Sequence, residues 1–300
     1  MSPYQSDILI IGCGIAGASA ALRLAQDRQR QITIITRSTE PEDSNTRYAQ
    51  GGIVTLGEGD SSDLLVEDIL AAGDGDRLGH LIVTCPKVLL PIKNGEPLIQ
   101  HPIEALVSAE IHQIAVVVGY LGDMVKELLG DGSRYGAELQ YIQNFDYFGG
   151  NAASLHKAME WVGKEPLVLC MGDHLIDRDL VKTLVKRKTI DNTLCVDFNP
   201  SQSPDLVDEA TKVVIDNNGC ISDIGKNLVY WDAIDTGVFL LTGKFLQFVD
   251  KLVALSGPSL EMDNAIQSFI DQGHNFLTCD VSGHTWMDID TEQDLILARK

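Results

Sequence analysis

The most informative part of the chain is a pair of runs, Leu70-Ala71-Ala72-Gly73-Asp74-Gly75-Asp76-Arg77-Leu78-Gly79 and Cys85-Pro86-Lys87-Val88-Leu89-Leu90-Pro91-Ile92. In the first run, the end of an apolar strand is followed by a glycine loop. The backbone N–H groups of such a loop can surround phosphate oxygens. Arg77 and Lys87 then supply positive charge that suits an anionic ligand. The alternative is an ordinary glycine turn with two surface cations. The order and spacing of glycines, arginine and Pro-Lys favour a triphosphate-binding loop.

The chain that follows alternates strands with helices. Apolar runs typical of buried strands and runs typical of helices take turns at residues 114–120, 122–129, 139–142, 151–162 and 167–171. This alternation predicts an α/β fold with a doubly wound, mainly parallel, Rossmann-like sheet. Ligands of such sheets bind at the carboxyl ends of the strands, where both the glycine loop and Asp173 are expected.

The first sixty residues have a separate pattern of strand, tight turn, helix and strand. The apolar strands are expected at residues 8–11 and 32–35, and Gly12, Gly14 and Gly17 form a GxGxxG turn between them. This context is typical of a dinucleotide-binding βαβ unit. The acidic residue expected after the second strand is missing, since Thr36 stands there. The pattern therefore indicates dinucleotide-binding ancestry.

Composition restricts the partners. The 300 residues include 23 basic and 43 acidic side chains, which gives a formal net charge of −20. A field of that sign repels nucleic acid and anionic membranes, so we expect neither as a partner. The six cysteines show no metal-ligand spacing, and no targeting segment is visible. We therefore expect reduced thiols and a cytoplasmic protein.

Residues 44–53, which read SNTRYAQGGI, follow the GxGxxG turn and resemble the amino terminus of the L-aspartate oxidases and their flavoprotein relatives. The resemblance runs from about Asp7 to Ile69 and then stops. Most of the flavin domain, the substrate-capping domain and the catalytic residues of that family have no counterpart here. Residues 1–68 are therefore expected to be a fragment of an FAD-binding βαβ unit, in which Gly12, Gly14 and Gly17 are vestigial and FAD is not bound.

From residue 69 the chain resembles the sugar-phosphate nucleotidyltransferases, whose opening pattern is AAGxGxRL, a short gap and PK. Residues 171–174, 209–213, 219–226, 233–239 and 286–291 make it similar to the CTP:inositol-1-phosphate cytidylyltransferases in particular. The resemblance implies one nucleotidyltransferase domain at residues 69–300. It also implies transfer of CMP from CTP, or of another nucleotidyl group, to a polyol or sugar phosphate such as inositol 1-phosphate, with release of pyrophosphate.

The resemblance also assigns roles to residues of the nucleotide half. Arg77 neutralises the leaving pyrophosphate, Lys87 stabilises charge at the α-phosphate, and Asp173 holds Mg²⁺ together with Asp288 or Asp290. Phosphoryl chemistry of this kind needs positioning and charge neutralisation more than covalent help. Residues expected against the nucleotide are Leu70, Ala71, Ala72, Gly73, Gly75 and Gly119.

On the acceptor side, the resemblance places Lys226 at the acceptor's phosphate and Asp235, Thr236 and Gly237 at its hydroxyls. A solvated surface lysine is the alternative for Lys226. For the late acidic residues the alternative is a helix cap, with Thr291 and Asp294 beginning the last helix. His174, beside Asp173, is expected to position its neighbours or contact substrate, because an ionised phosphate nucleophile needs no general base.

Two other functions stay open at this point. The first is an aspartate-oxidase-type flavoprotein, and the second is a nucleotide-binding module without catalytic activity. UTP with a hexose 1-phosphate, or CTP with phosphocholine, is an alternative substrate pair. The sequence does not give the oligomeric state.

Overall fold

The computed structural model describes residues 8–11, 32–35 and 85–299, except 148, 188–189 and 201–203. The chain forms two compact units, residues 1–80 and residues 81–300. In the first unit, strands β1 (Ile8–Ile11) and β2 (Ile32–Ile35) pair in parallel over their whole length, as a βαβ unit requires. Three sets of predicted residues lie outside the described part: the GxGxxG glycines, Arg77 and the nucleotide-binding residues at 70–75.

The second unit alternates strands and helices. Its described strands are β3 (Gln113–Val118), β4 (Glu138–Gln143), β5 (Leu167–Cys170), β6 (His174–Ile176), β7 (Thr193–Asp197), β8 (Lys212–Ile215), β9 (Ile221–Gly225), β10 (Ala233–Leu241), β11 (Leu277–Asp280) and β12 (Trp286–Asp288). Its described helices are α1 (Gln100–Ser108), α2 (Gly122–Leu129), α3 (Asn151–Val162), α4 (Arg178–Val185), α5 (Pro204–Glu209), α6 (Gly243–Ser256), α7 (Met262–Asp271) and α8 (Glu292–Ala298). Short 3₁₀ turns occupy Lys87–Leu89, Lys93–Gly95 and Ser133–Tyr135.

The largest described sheet has the strand order β11-β7-β10-β8-β9, and β5 also pairs with β10. This confirms the predicted α/β class. The described sheet is mixed, however, rather than mainly parallel, because β10 runs antiparallel to β5, β7 and β8. Parallel pairing joins β11 to β7 and β3 to β4. A buried strand is a continuous apolar run in either direction, so the sequence pattern did not reveal the direction of β10.

Helices cover both faces of this sheet. Along β7, Leu194 and Val196 point to the face where α3, α6 and α7 pack, whereas Cys195 points to the face that holds α1 and α4. Alternation of side chains along a strand produces this division. Burial on both faces explains why every residue of β7 is buried.

Two helix boundaries agree with the sequence pattern. Helix α3 spans the predicted residues and is followed by Gly163, whose φ of +67° favours glycine. Helix α8 begins with a capping box, in which the Thr291 side chain accepts from the Asp294 N–H and the Asp294 side chain accepts from the Thr291 N–H. Among the described residues, no helix combines the length and apolar character that crossing a membrane requires.

Candidate active site

The site begins with a short antiparallel ladder between β12 and β6. Asp288 lies directly opposite His174 in the register, and Asp173 immediately precedes His174. At the start of β12, the indole Nε1 of Trp286 donates a buried hydrogen bond of 2.8 Å to Asp197 Oδ2 at the end of β7. This bond and the ladder bring acidic residues from distant parts of the sequence to one end of the sheet.

The Lys87 side chain reaches the same place from the 3₁₀ turn at Lys87–Leu89. Its ammonium lies 3.0 Å from Asp173 Oδ2 and 3.4 Å from Asp288 Oδ1, and it donates a shorter hydrogen bond to Asp290 Oδ1. We call Asp173, Asp288 and Asp290 the carboxylate cluster. The Lys87 side chain is 20% exposed and those of the three carboxylates are 37–45% exposed, so solvent screens these ion pairs in part.

Electrostatics inside the cluster favour the charged lysine. Burial alone would lower the pKa of Lys87, but the three carboxylates outweigh it and raise that pKa above its ordinary value. Burial alone would raise the pKa of Asp173, and Lys87 and His174 together lower it. The pKa of Asp288 is raised by burial and by its acidic neighbours Asp173 and Asp290, against the opposite effects of His174 and Lys87.

His174 stands between the cluster and β10. Its Nδ1 donates to the Thr236 carbonyl at 3.0 Å, which turns Nε2 toward Asp288 Oδ2 at 3.7 Å and Asp173 Oδ1 at 4.0 Å. Burial opposes protonation, yet the two carboxylates raise the pKa of His174. Atoms of Asp173, His174 and Asp288 lie within 4.8 Å of one another, close enough to hold a single metal ion. Sequence reasoning did not include His174 among the candidate ligands.

Residues 235–237 form an irregular segment of β10 beside this histidine. Gly237 has a φ of +75°, and its N–H donates to Asp235 Oδ1 at 2.7 Å. Thr236 is fully buried and its hydroxyl donates to the Cys195 carbonyl at 2.9 Å. Its side chain therefore stabilises the segment from inside, whereas the prediction placed it against the acceptor's hydroxyls.

Among the acidic residues of the site, Asp235 has the most unusual pKa. Burial raises its pKa to about 6, although the Gly237 N–H and His174 act in the opposite direction. The carboxylates of Asp263, in the first turn of α7, and Asp288 raise this pKa further. Asp263 was missed by sequence reasoning, since nothing in its own segment distinguishes it from a solvated helix residue.

Helix capping does not account for the late acidic residues. Thr291 is the N-cap residue of α8, and its capping-box partner Asp294 accepts from the N–H groups of both Asp290 and Thr291. The side chains of Asp288 and Asp290 are thereby left to contact Lys87. The cap and the carboxylate cluster thus use different residues of one short segment.

Two predicted residues lie elsewhere. Lys226 is exposed just after β9, and within the described part of the chain no contact joins its ammonium to the carboxylate cluster. Gly119 follows β3, where an added Cβ would lie 2.5 Å from the Tyr147 Cβ, so close packing of that side chain requires glycine. The Tyr147 ring lies 6.3 Å from that of exposed Tyr120, measured between centroids.

Two protein-family models match parts of this sequence. The model of the MobA-like NTP transferase domain matches residues 69–207, and that of an FAD-binding domain matches residues 7–89. The second match confirms the N-terminal resemblance. It also bears against the expectation of no flavin, which stays a prediction.

Curated relatives are nucleotidyltransferases. A bifunctional IPC transferase and DIPP synthase of Rubrobacter xylanophilus is 31% identical over 77% of this chain and 50% of its own length. A CTP:phosphoglutamine cytidylyltransferase of Campylobacter jejuni is 29% identical over 76% of this chain and 96% of its own length. The chain thus spans about half of the first relative and nearly all of the second.

Among solved structures, the inositol-1-phosphate CTP transferase from T. maritima superposes with a TM-score of 0.63 at 25% identity, covering 73% of this chain and 86% of that one. A structure described as a putative glucose-1-phosphate thymidylyltransferase from Bacillus anthracis has the same fold, with a TM-score of 0.62 at 24% identity over 75% of this chain and 91% of that one. Residues 69–207 are therefore similar to the MobA-like NTP transferase domain, and the chain has the α/β fold of nucleotidyltransferases.

Proposed function

We propose that this chain is a Mg²⁺-dependent nucleotidyltransferase that transfers CMP from CTP to a polyol or sugar phosphate such as inositol 1-phosphate and releases pyrophosphate. The observation that carries the proposal is the Lys87 ammonium held among three carboxylates at one end of the sheet. The named activities of the relatives support the same reaction class. The nucleotidyltransferase domain is proposed to begin at residue 69, after a vestigial fragment at residues 1–68.

The donor set fits a divalent cation. Carboxylate oxygens are the ligands that Mg²⁺ prefers, and Asp173 and Asp288 each offer one within 4.8 Å of the other. The position of the Lys87 ammonium among these carboxylates supports the same conclusion, because it places a positive charge beside them. We propose that Asp173 holds Mg²⁺ with Asp288 or Asp290. A bound Mg²⁺ supplies neutralisation of the phosphate charge that develops during transfer.

The chain's own residues position the two reactants. Lys87 is proposed to bind the α-phosphate and Arg77 the departing pyrophosphate, while the loop at residues 70–75 holds the triphosphate through its N–H groups. The acceptor's phosphate oxygen is already ionised at neutral pH, so it attacks without a general base.

The acidic groups beside the cluster suit a hydroxyl-rich acceptor. Asp235 is half-buried, and the carboxylate of Asp263 acts on it from α7. Carboxylates accept hydrogen bonds from hydroxyl groups, so we propose that these two side chains bind the polyol or sugar ring. Lys226 is proposed to hold the acceptor's phosphate.

Pyrophosphate release from each of the four NTPs, measured against a panel of acceptor phosphates, tests the proposal. We expect turnover with CTP and inositol 1-phosphate, and a loss on the order of 100-fold or more for Asp173→Asn, because charge neutralisation contributes several kcal/mol. Asp179→Asn is the matched control, since Asp179 pairs with Lys182 on the solvent-facing side of α4. Wild-type turnover in Asp173→Asn would contradict the metal assignment.

The same preparation separates the alternatives. We propose that the chain holds no stoichiometric flavin, because only the start of such a domain is matched. A visible flavin absorbance near one equivalent per chain would favour the flavoprotein instead. Nucleotide binding with no pyrophosphate release from any NTP and acceptor would favour the inactive binding module.

A further inference from the structure

The carboxylate cluster already binds a cation that belongs to the protein. Within the described residues the Lys87 ammonium contacts Asp173, Asp288 and Asp290 and no other side chain. These are the same carboxyl groups to which the proposed function assigns Mg²⁺. The lysine and the metal ion therefore compete for one set of ligands.

Simultaneous occupancy is unfavourable. An ammonium within hydrogen-bond distance of three carboxylates repels a divalent cation that would share them, because two positive charges would lie a few ångströms apart. The metal gains its ligands only if the ammonium leaves. Lys87 lies in a 3₁₀ turn of three residues, and its ammonium is carried on a flexible four-carbon chain. The ammonium therefore needs only a small movement of its own side chain to leave the carboxylates.

We propose that Lys87 is an internal cation that occupies the carboxylate cluster in the free protein and exchanges with the divalent cation when a nucleotide phosphate binds the ammonium. This inference rests on the proposed function, because the nucleotide is the second partner of Lys87. It predicts that the free protein binds metal weakly, and that metal and nucleotide strengthen each other's binding. Lys87 thus links occupation of the metal site to the presence of substrate.

Mn²⁺ binding by the full-length protein, measured calorimetrically without nucleotide, tests the exchange directly. Lys87→Met keeps the length of the side chain and removes the ammonium, so we expect it to bind Mn²⁺ at least tenfold more tightly than wild type. Lys182→Met is the matched control, since it removes one positive charge from a surface pair with Asp179 and should leave Mn²⁺ binding at the wild-type level. Adding Asp173→Asn to Lys87→Met should abolish the gain. Equal affinity in wild type and Lys87→Met would overturn the inference.

A second measurement uses the wild-type protein alone, in case Lys87→Met does not fold. Labelling of lysines with ethyl acetimidate, followed by peptide mass spectrometry, reports how accessible each ammonium is. Saturating Mg²⁺ should increase labelling at Lys87 several-fold and leave Lys182 unchanged. Unchanged labelling at Lys87 would contradict the exchange.

The two proposals fail in different ways. Pyrophosphate release with no Mn²⁺ gain in Lys87→Met would overturn the exchange and leave the transferase function standing. A clear Mn²⁺ gain with no turnover on any NTP would support the exchange at the cluster and contradict the proposed reaction.

Discussion

Replacing Gly237 with alanine tests how tightly the backbone of β10 holds the His174 ring. The φ of Gly237 is +75°, and an added Cβ would lie 2.5 Å from both Cε1 and Nδ1 of His174 and 3.0 Å from Met171 Cγ. Real Cβ atoms do not approach other atoms so closely, so the imidazole ring must move away from the Thr236 carbonyl that orients it. We therefore expect Gly237→Ala to affect both stability and the carboxylate cluster.

The loss of stability expected for Gly237→Ala has two parts. An L-residue in the left-handed region costs about 1–2 kcal/mol, and forcing extra volume into a packed site costs about 1–3 kcal/mol more. Gly219 separates the two, because its φ is +76° and nothing lies within 4 Å of an added Cβ. Gly219→Ala should lose only the first part. The difference between the two variants should then be about 1–3 kcal/mol in the free energy of unfolding.

Urea denaturation at neutral pH measures the free energy of unfolding of both variants, and the pyrophosphate assay compares their turnover. We expect Gly237→Ala to unfold at the lower urea concentration and to lose turnover, because displaced His174 no longer faces Asp173 and Asp288. Gly219→Ala should keep wild-type turnover. Equal loss of stability in the two variants, with full turnover in both, would refute the argument that Gly237 is needed for the His174 ring.

Two further predictions concern stability. Trp286→Phe removes the indole N–H that donates to a buried Asp197 oxygen. Because that acceptor loses its hydrogen bond, the free energy of unfolding should fall by about 1–3 kcal/mol. An unchanged urea midpoint would contradict this. Asp235→Asn tests the pKa of about 6, which exceeds the ordinary value of 3.8. The folded wild type holds that proton more tightly than the unfolded chain, so wild-type stability should fall relative to Asp235→Asn as pH rises from about 4 to 6 and level off above. Parallel stability curves over that range would exclude the raised pKa.

The parts of the fold that local chemistry determines were predictable. Helix α3 was expected at its observed residues, with its start marked by Gly149-Gly150 immediately before Asn151. The capping box of α8 was visible in the spacing of Thr291 and Asp294. In each case residues within one or two turns of each other carry the signal.

The arrangement of the site was predictable only in part. Asp173 was expected at a strand end, and Asp288 and Asp290 were candidates for the same ion. What joins them is the register of β12 on β6, which sets Asp288 opposite His174, and the Trp286 hydrogen bond. Register depends on pairing between segments more than 100 residues apart, and a single sequence does not contain that information.

The two family matches overlap in a short stretch of the chain, and the contacts of one side chain in it are informative. Residues 69–89 fall inside both the FAD-binding match and the NTP transferase match. Lys87 lies in this overlap, yet its ammonium is bound by carboxylates from β12 and from the turn after β5. All of these residues belong to the unit at residues 81–300. The contacts of this lysine, near the end of the overlap, are therefore made within the unit at residues 81–300, where three carboxylates satisfy the charge of its ammonium.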